Sequence, residues 1–317
     1  MLTDDDVVRD RRLLCAANLT YDIMHAHERS DCRTDRDNFD LQMSGLHTYQ
    51  GFISGFEFAD AGLIGVTDFE ILLAFRGTQP LNLSTKHDLV ESISDWIHDF
   101  DADLVRDRKI DLADWTTIPG RIHRGFLLSM KGHAKKPGLW TQMKPALRAL
   151  IERHPGKPVC ITGHSKGGAL AHLAAMQCAA LFKSDEIYVC TFAAPRVGDK
   201  AFAEAYAQRI THSYRYEYHF DVVPLLPPSH SFYEAIASHA AAKLFTMPVR
   251  GYSVVGKKKV VAEIEGAAHS HPPLINCLTK MLKGEGRQIL EYHSSRIGHH
   301  YANAVGLLNA PANENEL

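Results

Sequence analysis

VCITGHSKGGALAHLAAMQCAALF, residues 159–182, is the stretch on which the fold of this chain is decided. Val159 to Thr162 form a short apolar run bounded by Pro158 and Gly163, which has the length and composition of a buried strand. Further on, Leu170, Leu173, Ala174, Cys178 and Leu181 fall on one face of a helix. Between strand and helix lies Gly163-His164-Ser165-Lys166-Gly167-Gly168, which occurs once. From average residue usage, a Gly-x-Ser-x-Gly match arises by chance in roughly one chain in ten of this size, so the pentapeptide alone says little. Its setting says more: a nucleophile elbow needs a strand that ends at the first glycine and a helix that starts after the serine. Such a turn strains the serine backbone to project Oγ from the top of a sheet, and bulky neighbours would collide there. Gly163, Gly167 and Gly168 bring no side chains to that crowded place. The plainer alternative is a glycine-rich turn in which Ser165 caps a helix.

Outward from this unit, strands and helices alternate. IYVCTF (187–192) reads as a second buried strand, 200–209 as a helix, and 213–218 as a third strand. Upstream, GLIGVTDFEILLAF (62–75) reads as two apolar strand segments around a Thr67-Asp68 turn, and residues 140–153 place Met143, Leu147, Leu150 and Ile151 at helical spacing. Downstream, GYSVVGKKKVVAEIE (251–265) reads as a hairpin and PLINCLTKML (273–282) as a short helix. This alternation predicts an α/β fold, with a mostly parallel central sheet covered by helices on both faces.

The 317 residues, 45% hydrophobic and 23% charged, supply a sizeable core and are taken as one domain, 1–317, with insertions. A net charge of −2 argues against a nucleic acid or an anionic membrane as partner. The acidic start MLTDDDVVRDRRLL lacks the pattern of a secretory signal, which points to a cytoplasmic location. No run reaches the ~18 apolar residues of a transmembrane segment. Six cysteines without CxxC spacing suggest reduced thiols rather than a disulfide framework.

A serine hydroxyl is a poor nucleophile unless a base takes its proton and an acid orients that base. In this kind of fold the acid and then the base follow the serine along the chain. The third strand runs into His219-Phe220-Asp221, so Asp221 sits at the C-terminal end of a strand, where open α/β sheets place their sites.

Five ordered segments, AFRGT (74–78), IHRGF (122–126), GHSKGGAL (163–170), FAAPRVGD (192–199) and YRYEYHFDVVPLLPP (214–228), resemble the class 3 lipase family, fungal secreted triacylglycerol lipases and their bacterial and plant relatives. The resemblance runs over roughly residues 50 to 308 and implies an α/β-hydrolase fold. It also implies Ser165 as nucleophile, Asp221 as acid and a C-terminal histidine as base. Relatives often carry this histidine with an aliphatic residue nine positions on. His299, followed by Leu308, has that spacing and is the first choice; His300 comes second and His293 third. The implied oxyanion hole is the backbone N–H of Lys166 together with Thr78, through its N–H and its hydroxyl. Relatives usually carry Leu at the position of Lys166, so its ammonium is a departure that bears on substrate preference.

The stretch QPLNLSTKHDLVESIS (79–94) is longer than the family pattern, and in the lid-like segment 79–104 Leu89, Ile93, Trp96, Ile97 and Phe100 recur at helical spacing, as in a lid or a fixed cover. Residues 1–50 read as an N-terminal helical extension and 229–290 as an insertion. Packing or solvated roles are expected for the remaining histidines, including His123, His164 and the His269/His271 pair, and neither a metal nor a cofactor is expected. The implied activity is carboxylic ester hydrolysis through an acyl-enzyme, with lipid esters as substrates and transient contact with a lipid–water interface. The alternatives are a phospholipase A1, a short-chain esterase, or a catalytically silent interaction protein of the same fold.

Overall fold

Successive residues of the central strands are buried on opposite faces of one sheet, and this two-sided burial explains their unbroken apolar sequences. The computed structural model describes residues 4–23, 29–31, 38–55, 60–78, 103–107, 115–133, 136–218, 221–227, 251–261, 292–296 and 299–307. In chain order its elements are α1 (Asp4–Leu19), β1 (Arg29–Asp31), α2 (Phe39–Ser44), β2 (Thr48–Ser54), β3 (Asp60–Val66), β4 (Ile71–Phe75), β5 (Leu104–Arg106) and β6 (Arg121–His123). Then come α3 (Arg124–Lys131), β7 (Gly132–His133), β8 (Lys136–Pro137), α4 (Leu139–Arg153), β9 (Val159–His164), α5 (Lys166–Cys178), β10 (Ile187–Phe192) and β11 (Gly198–Asp199). The chain continues through α6 (Lys200–Arg209), β12 (His212–Tyr218), β13 (Tyr252–Ser253), β14 (Lys257–Val261) and α7 (His300–Ala304).

The main sheet has the order β1-β2-β3-β4-β9-β10-β12-β14. Its first three pairings are antiparallel, and the four from β4 onward are parallel. On one face Ile71, Leu73, Phe75, Val159, Ile161, Ile187 and Val189 pack against α3, α4 and α5. On the other, Leu72, Ala74, Cys160, Tyr188, Cys190 and Phe192 meet α1 and α7. At about 1.5 to 3 kcal/mol for each fully buried large aliphatic or aromatic side chain, these two layers supply the main drive for folding. The fold is the α/β-hydrolase fold expected from the sequence, and the hairpin β3–β4, the helices α4, α5 and α6 and the strands β9, β10 and β12 stand where their patterns put them.

Two expectations need correcting. Residues 1–50, read as an extension, contribute α1 to the core itself: Leu13, Leu14, Cys15 and Ala16 are wholly buried, and β1 and the start of β2 lie in the main sheet. The buried carboxylate of Asp10 ties α1 down, accepting from the Tyr188 and Tyr216 hydroxyls at 2.8 Å each and pairing with Lys259. The second correction concerns the expected hairpin at 251–265, whose described residues, 251–261, do not pair with one another. β13 pairs with β11 in a smaller sheet, while β14 adds parallel to β12. Gly256, at φ +76°, makes the bend between them.

The lid-like segment lies outside the described residues apart from 103 and 104, as does the insertion 229–290 apart from 251–261. Among the described residues no helix is long and apolar enough to cross a membrane, and Cys15, Cys160, Cys178 and Cys190 are buried free thiols.

Candidate active site

The parallel strands β4, β9 and β12 end on one edge of the sheet, and the residues that follow them meet there. After β9 the chain enters Ser165 at φ 56° and ψ −132°, a region that side-chain-bearing residues rarely occupy. Its N–H is held by Phe192 C=O at 2.9 Å, and its C=O takes the Gly168 N–H at 2.9 Å. Strain of this kind persists only where surrounding packing enforces it. Here the enforcement is visible at Gly167, where a Cβ would stand 2.0 Å from Phe75 O, so the first turn of α5 presses directly on the end of β4. Ser165 is thus the nucleophile-elbow serine in geometry, with Lys166 at the first helical position behind it.

Asp221 follows β12 and is wholly buried. Its carboxylate accepts three kinds of donor. The Val223 N–H reaches Oδ1 at 2.9 Å, the Tyr301 hydroxyl reaches Oδ2 at 2.6 Å, and the His293 ring lies across both oxygens with Nδ1 at 3.1 and 2.9 Å. A carboxylate only accepts, so His293 Nδ1 carries a proton. The Tyr301 hydroxyl also accepts the Tyr218 N–H at 3.0 Å. Burial and the Asp221 charge push this phenol well above its usual range, so it stays a donor.

The histidine on Asp221 is therefore His293 and not His299 or His300. His299 is the residue before α7, and His300 stacks on Tyr218 with ring centroids 3.8 Å apart. The nine-residue spacing assumed that the base stands at the start of the last helix; in this chain His293 lies seven residues before α7 begins. Among the described residues no hydrogen bond joins Ser165 Oγ to His293. In hydrolytic sites that bond often tightens only with substrate present.

Thr78 ends the β4 segment and is exposed. The preceding glycine packs against the nucleophile, since a Cβ on Gly77 would lie 2.9 Å from Ser165 Cβ. The Lys166 ammonium pairs with the buried carboxylate of Asp60, which also accepts the Ser129 hydroxyl at 3.0 Å. His123, from IHRGF, caps α3 by accepting the Phe126 N–H at 3.4 Å. Burial, with the Lys166 charge adding to it, pulls its pKa down to about 3.

His164, assigned by sequence to ordinary packing, lies with its ring centroid 4.8 Å from that of His293. It hydrogen-bonds both Tyr21 and the His293 backbone. Neither Tyr301 nor Tyr21 lies in a sequence motif that would single it out. Among the described residues no group of three or more His, Cys, Asp or Glu side chains could hold a metal ion, and His269 and His271 lie outside them.

Comparison with known proteins bears on the fold and the family. A lipase of Caenorhabditis elegans is 39% identical over 123 residues, covering 37% of this chain and 33% of its own length. A secreted mono- and diacylglycerol lipase of Gibberella zeae is 28% identical over 203 residues, covering 59% of this chain and 46% of its own. The chain thus spans less than half the length of these curated relatives. Among solved structures, the triacylglyceride lipase of Rhizomucor miehei superposes with a TM-score of 0.57 at 19% identity, over 83% of this chain and 82% of that one, a likeness of fold. The family model for class 3 lipases matches residues 72–231, half of the chain and all five of the ordered segments quoted above, and the chain belongs to the class 3 lipase family.

Proposed function

We propose that this protein hydrolyses carboxylic esters, acylglycerols or related lipid esters foremost, through an acyl-enzyme on Ser165. The observation that carries the proposal is the strained serine at the end of β9, whose neighbour His164 packs against a histidine, His293, with Nδ1 held by a buried carboxylate. Ser165 Oγ attacks the acyl carbon, and its proton passes to His293 Nε2. The oxyanion that forms is received by the Lys166 N–H and by Thr78. Collapse of the tetrahedral species expels the alcohol, which takes the proton from His293. Water then attacks the acyl-enzyme by the same route and releases the acid. Asp221 keeps the imidazole in the productive tautomer and balances the charge it acquires. Tyr301 and the Val223 N–H hold Asp221 in turn.

Lipid esters are favoured because the relatives bear the names of lipases, among them mono- and diacylglycerol lipases. A catalytically silent scaffold has no need for this serine strain or for the Asp221–His293 pairing. A fluorophosphonate probe should label the wild-type protein on Ser165 and leave Ser165→Ala unlabelled. Turnover of p-nitrophenyl esters of rising acyl length, with and without an emulsion, then separates lipase from short-chain esterase. Failure of the folded wild-type protein to label would overturn the proposal.

A further inference from the structure

The ring of His293 is held by Asp221, but a general base must also be held by its backbone, because a side chain pivots about its own Cα. The His293 carbonyl accepts a hydrogen bond from His164 Nε2 at 2.7 Å. A carbonyl cannot donate, so His164 Nε2 carries the proton and Nδ1 is an acceptor. At Nδ1, 2.9 Å away, is the hydroxyl of Tyr21, which must therefore donate. Tyr21 oxygen in turn lies against the oxyanion segment: a Cβ on Gly77 would fall 2.3 Å from it. The hydrogen bonds thus run in one direction, from Tyr21 beside the oxyanion segment, through His164, to the backbone of the base.

Both groups of this relay stay neutral. Burial, helped by the nearness of His293, pulls the His164 pKa down to about 3. Burial also pushes the Tyr21 phenol up, against a downward pull from the Gly77 backbone and Arg76. Among the described residues the hydrogen bonds of the Asp221 carboxylate come from Val223, His293 and Tyr301. Tyr21 comes from the end of the N-terminal helical segment, and that segment also holds the chain on both sides of α7, where Asn18 Nδ2 donates to Ser295 O at 3.3 Å. Ser295 Oγ donates to Asn18 Oδ1 at 2.7 Å, and Arg11 Nε donates to Val305 O at 2.9 Å.

On the reading of Ser165 and His293 as nucleophile and base, we propose that Tyr21 and His164 are positioning residues. They fix the His293 main chain relative to the Ser165 turn and the Gly77–Thr78 segment, and so make the N-terminal segment part of the active site. His164 is suited to this role because it adjoins Ser165 in sequence. One residue thereby ties the base's backbone to the nucleophile's.

The test compares His164→Leu, His164→Gln and Tyr21→Phe with wild type, on a soluble p-nitrophenyl ester. Gln places an N–H donor near the position of His164 Nε2; Leu has none. The expected result for His164→Leu is a fall in kcat of between about ten- and a hundred-fold, the scale of a displaced catalytic group, with KM within about two-fold. His164→Gln should recover most of that loss, and Tyr21→Phe should lie between wild type and Leu. In proton NMR, the downfield signal of the His293 Nδ1–H bonded to Asp221 should broaden in His164→Leu and remain in His164→Gln. Equal kcat in all four folded proteins overturns the inference, as does an equal loss in Leu and Gln with an unaltered NMR signal. If His164→Leu does not fold, the Tyr21→Phe kcat and signal decide alone, and wild-type values in both overturn it. Absence of turnover in wild type would count against the hydrolase reading instead. In that event the NMR comparison, which needs no turnover, still tests the placement of His293.

Discussion

Removing the hydroxyl of Tyr301 tests the support beneath the acid without touching the reacting atoms. In Tyr301→Phe the ring still fills its wholly buried place, and only Oη is lost. Two hydrogen bonds go with it, the 2.6 Å donation to Asp221 Oδ2 and the 3.0 Å acceptance from the Tyr218 N–H. A hydrogen bond to a charged group contributes about 1.5 to 3 kcal/mol net, and a buried amide left without its partner costs about 1 to 3 kcal/mol. No solvent reaches the site to replace either bond, so a loss near 3 kcal/mol is expected. With an unfolding entropy of about 2.1 cal/mol/K per residue over a chain of this length, that corresponds to a drop of roughly 4 to 5 °C in Tm. The effect on chemistry should be smaller. Asp221 keeps the Val223 N–H and the His293 ring, so kcat should fall by less than about tenfold, whereas Asp221→Asn reverses the donor at His293 Nδ1 and should cost up to ~10⁴. Differential scanning calorimetry and steady-state kinetics on the same preparations measure both quantities. An unchanged Tm together with a thousandfold loss of kcat would refute the reasoning, because Tyr301 would then act on the reacting atoms and not through Asp221.

Lys166→Leu should leave turnover of neutral esters within about twofold, since the oxyanion donor is the backbone N–H. It should also leave the ratio of neutral to anionic ester turnover nearly unchanged at low and high salt, because the ammonium is already paired with Asp60. The same variant should lose about 1 to 3 kcal/mol in denaturant unfolding, a value kept below that of a fully buried pair because Lys166 retains some solvent exposure. A strong salt-dependent change in the substrate ratio would place its charge at the substrate. In acid, His123, His164 and His172, each pulled by burial from 6.5 to about 3, must gain protons to unfold. Their contribution to stability is complete above pH 6.5 and is lost as pH falls toward 3, with a slope of up to about 4 kcal/mol per pH unit for the three together. Asp40, raised by burial to about 6, works in the opposite sense between 3.8 and 6 and offsets part of this. Urea unfolding at pH 7, 6 and 5 should show falling stability, and a rise would contradict it.

What the sequence makes legible is what local patterns determine. Strand β9, the turn at Ser165 and helix α5 are contiguous, so apolar run, glycines and helical stripe announce the nucleophile within 20 residues. β14 is not legible locally, because its partner is β12, some 40 residues earlier, and KKKVV beside Gly256 looks like half of a hairpin. Residues 1–50 read as an extension because the acidic run DDDVVRD hides the burial of α1; its Asp10 is held by remote partners, namely Tyr188, Tyr216 and Lys259. That His293 lies on Asp221 could not be chosen by spacing, since the chain between His293 and α7 is longer than the family pattern assumes. Tyr21 and His164 are 143 residues apart, and no periodicity connects them.

The central claim is that His293, held by Asp221, is the base that serves Ser165. Its most direct test is kcat/KM for His293→Ala measured beside His299→Ala on one soluble ester, with both proteins shown to be folded by circular dichroism. His293→Ala should lose at least ~10³ relative to wild type, as removal of a triad base does, while His299→Ala should remain within about tenfold. The reverse order, with His293→Ala active and His299→Ala silent, would contradict it.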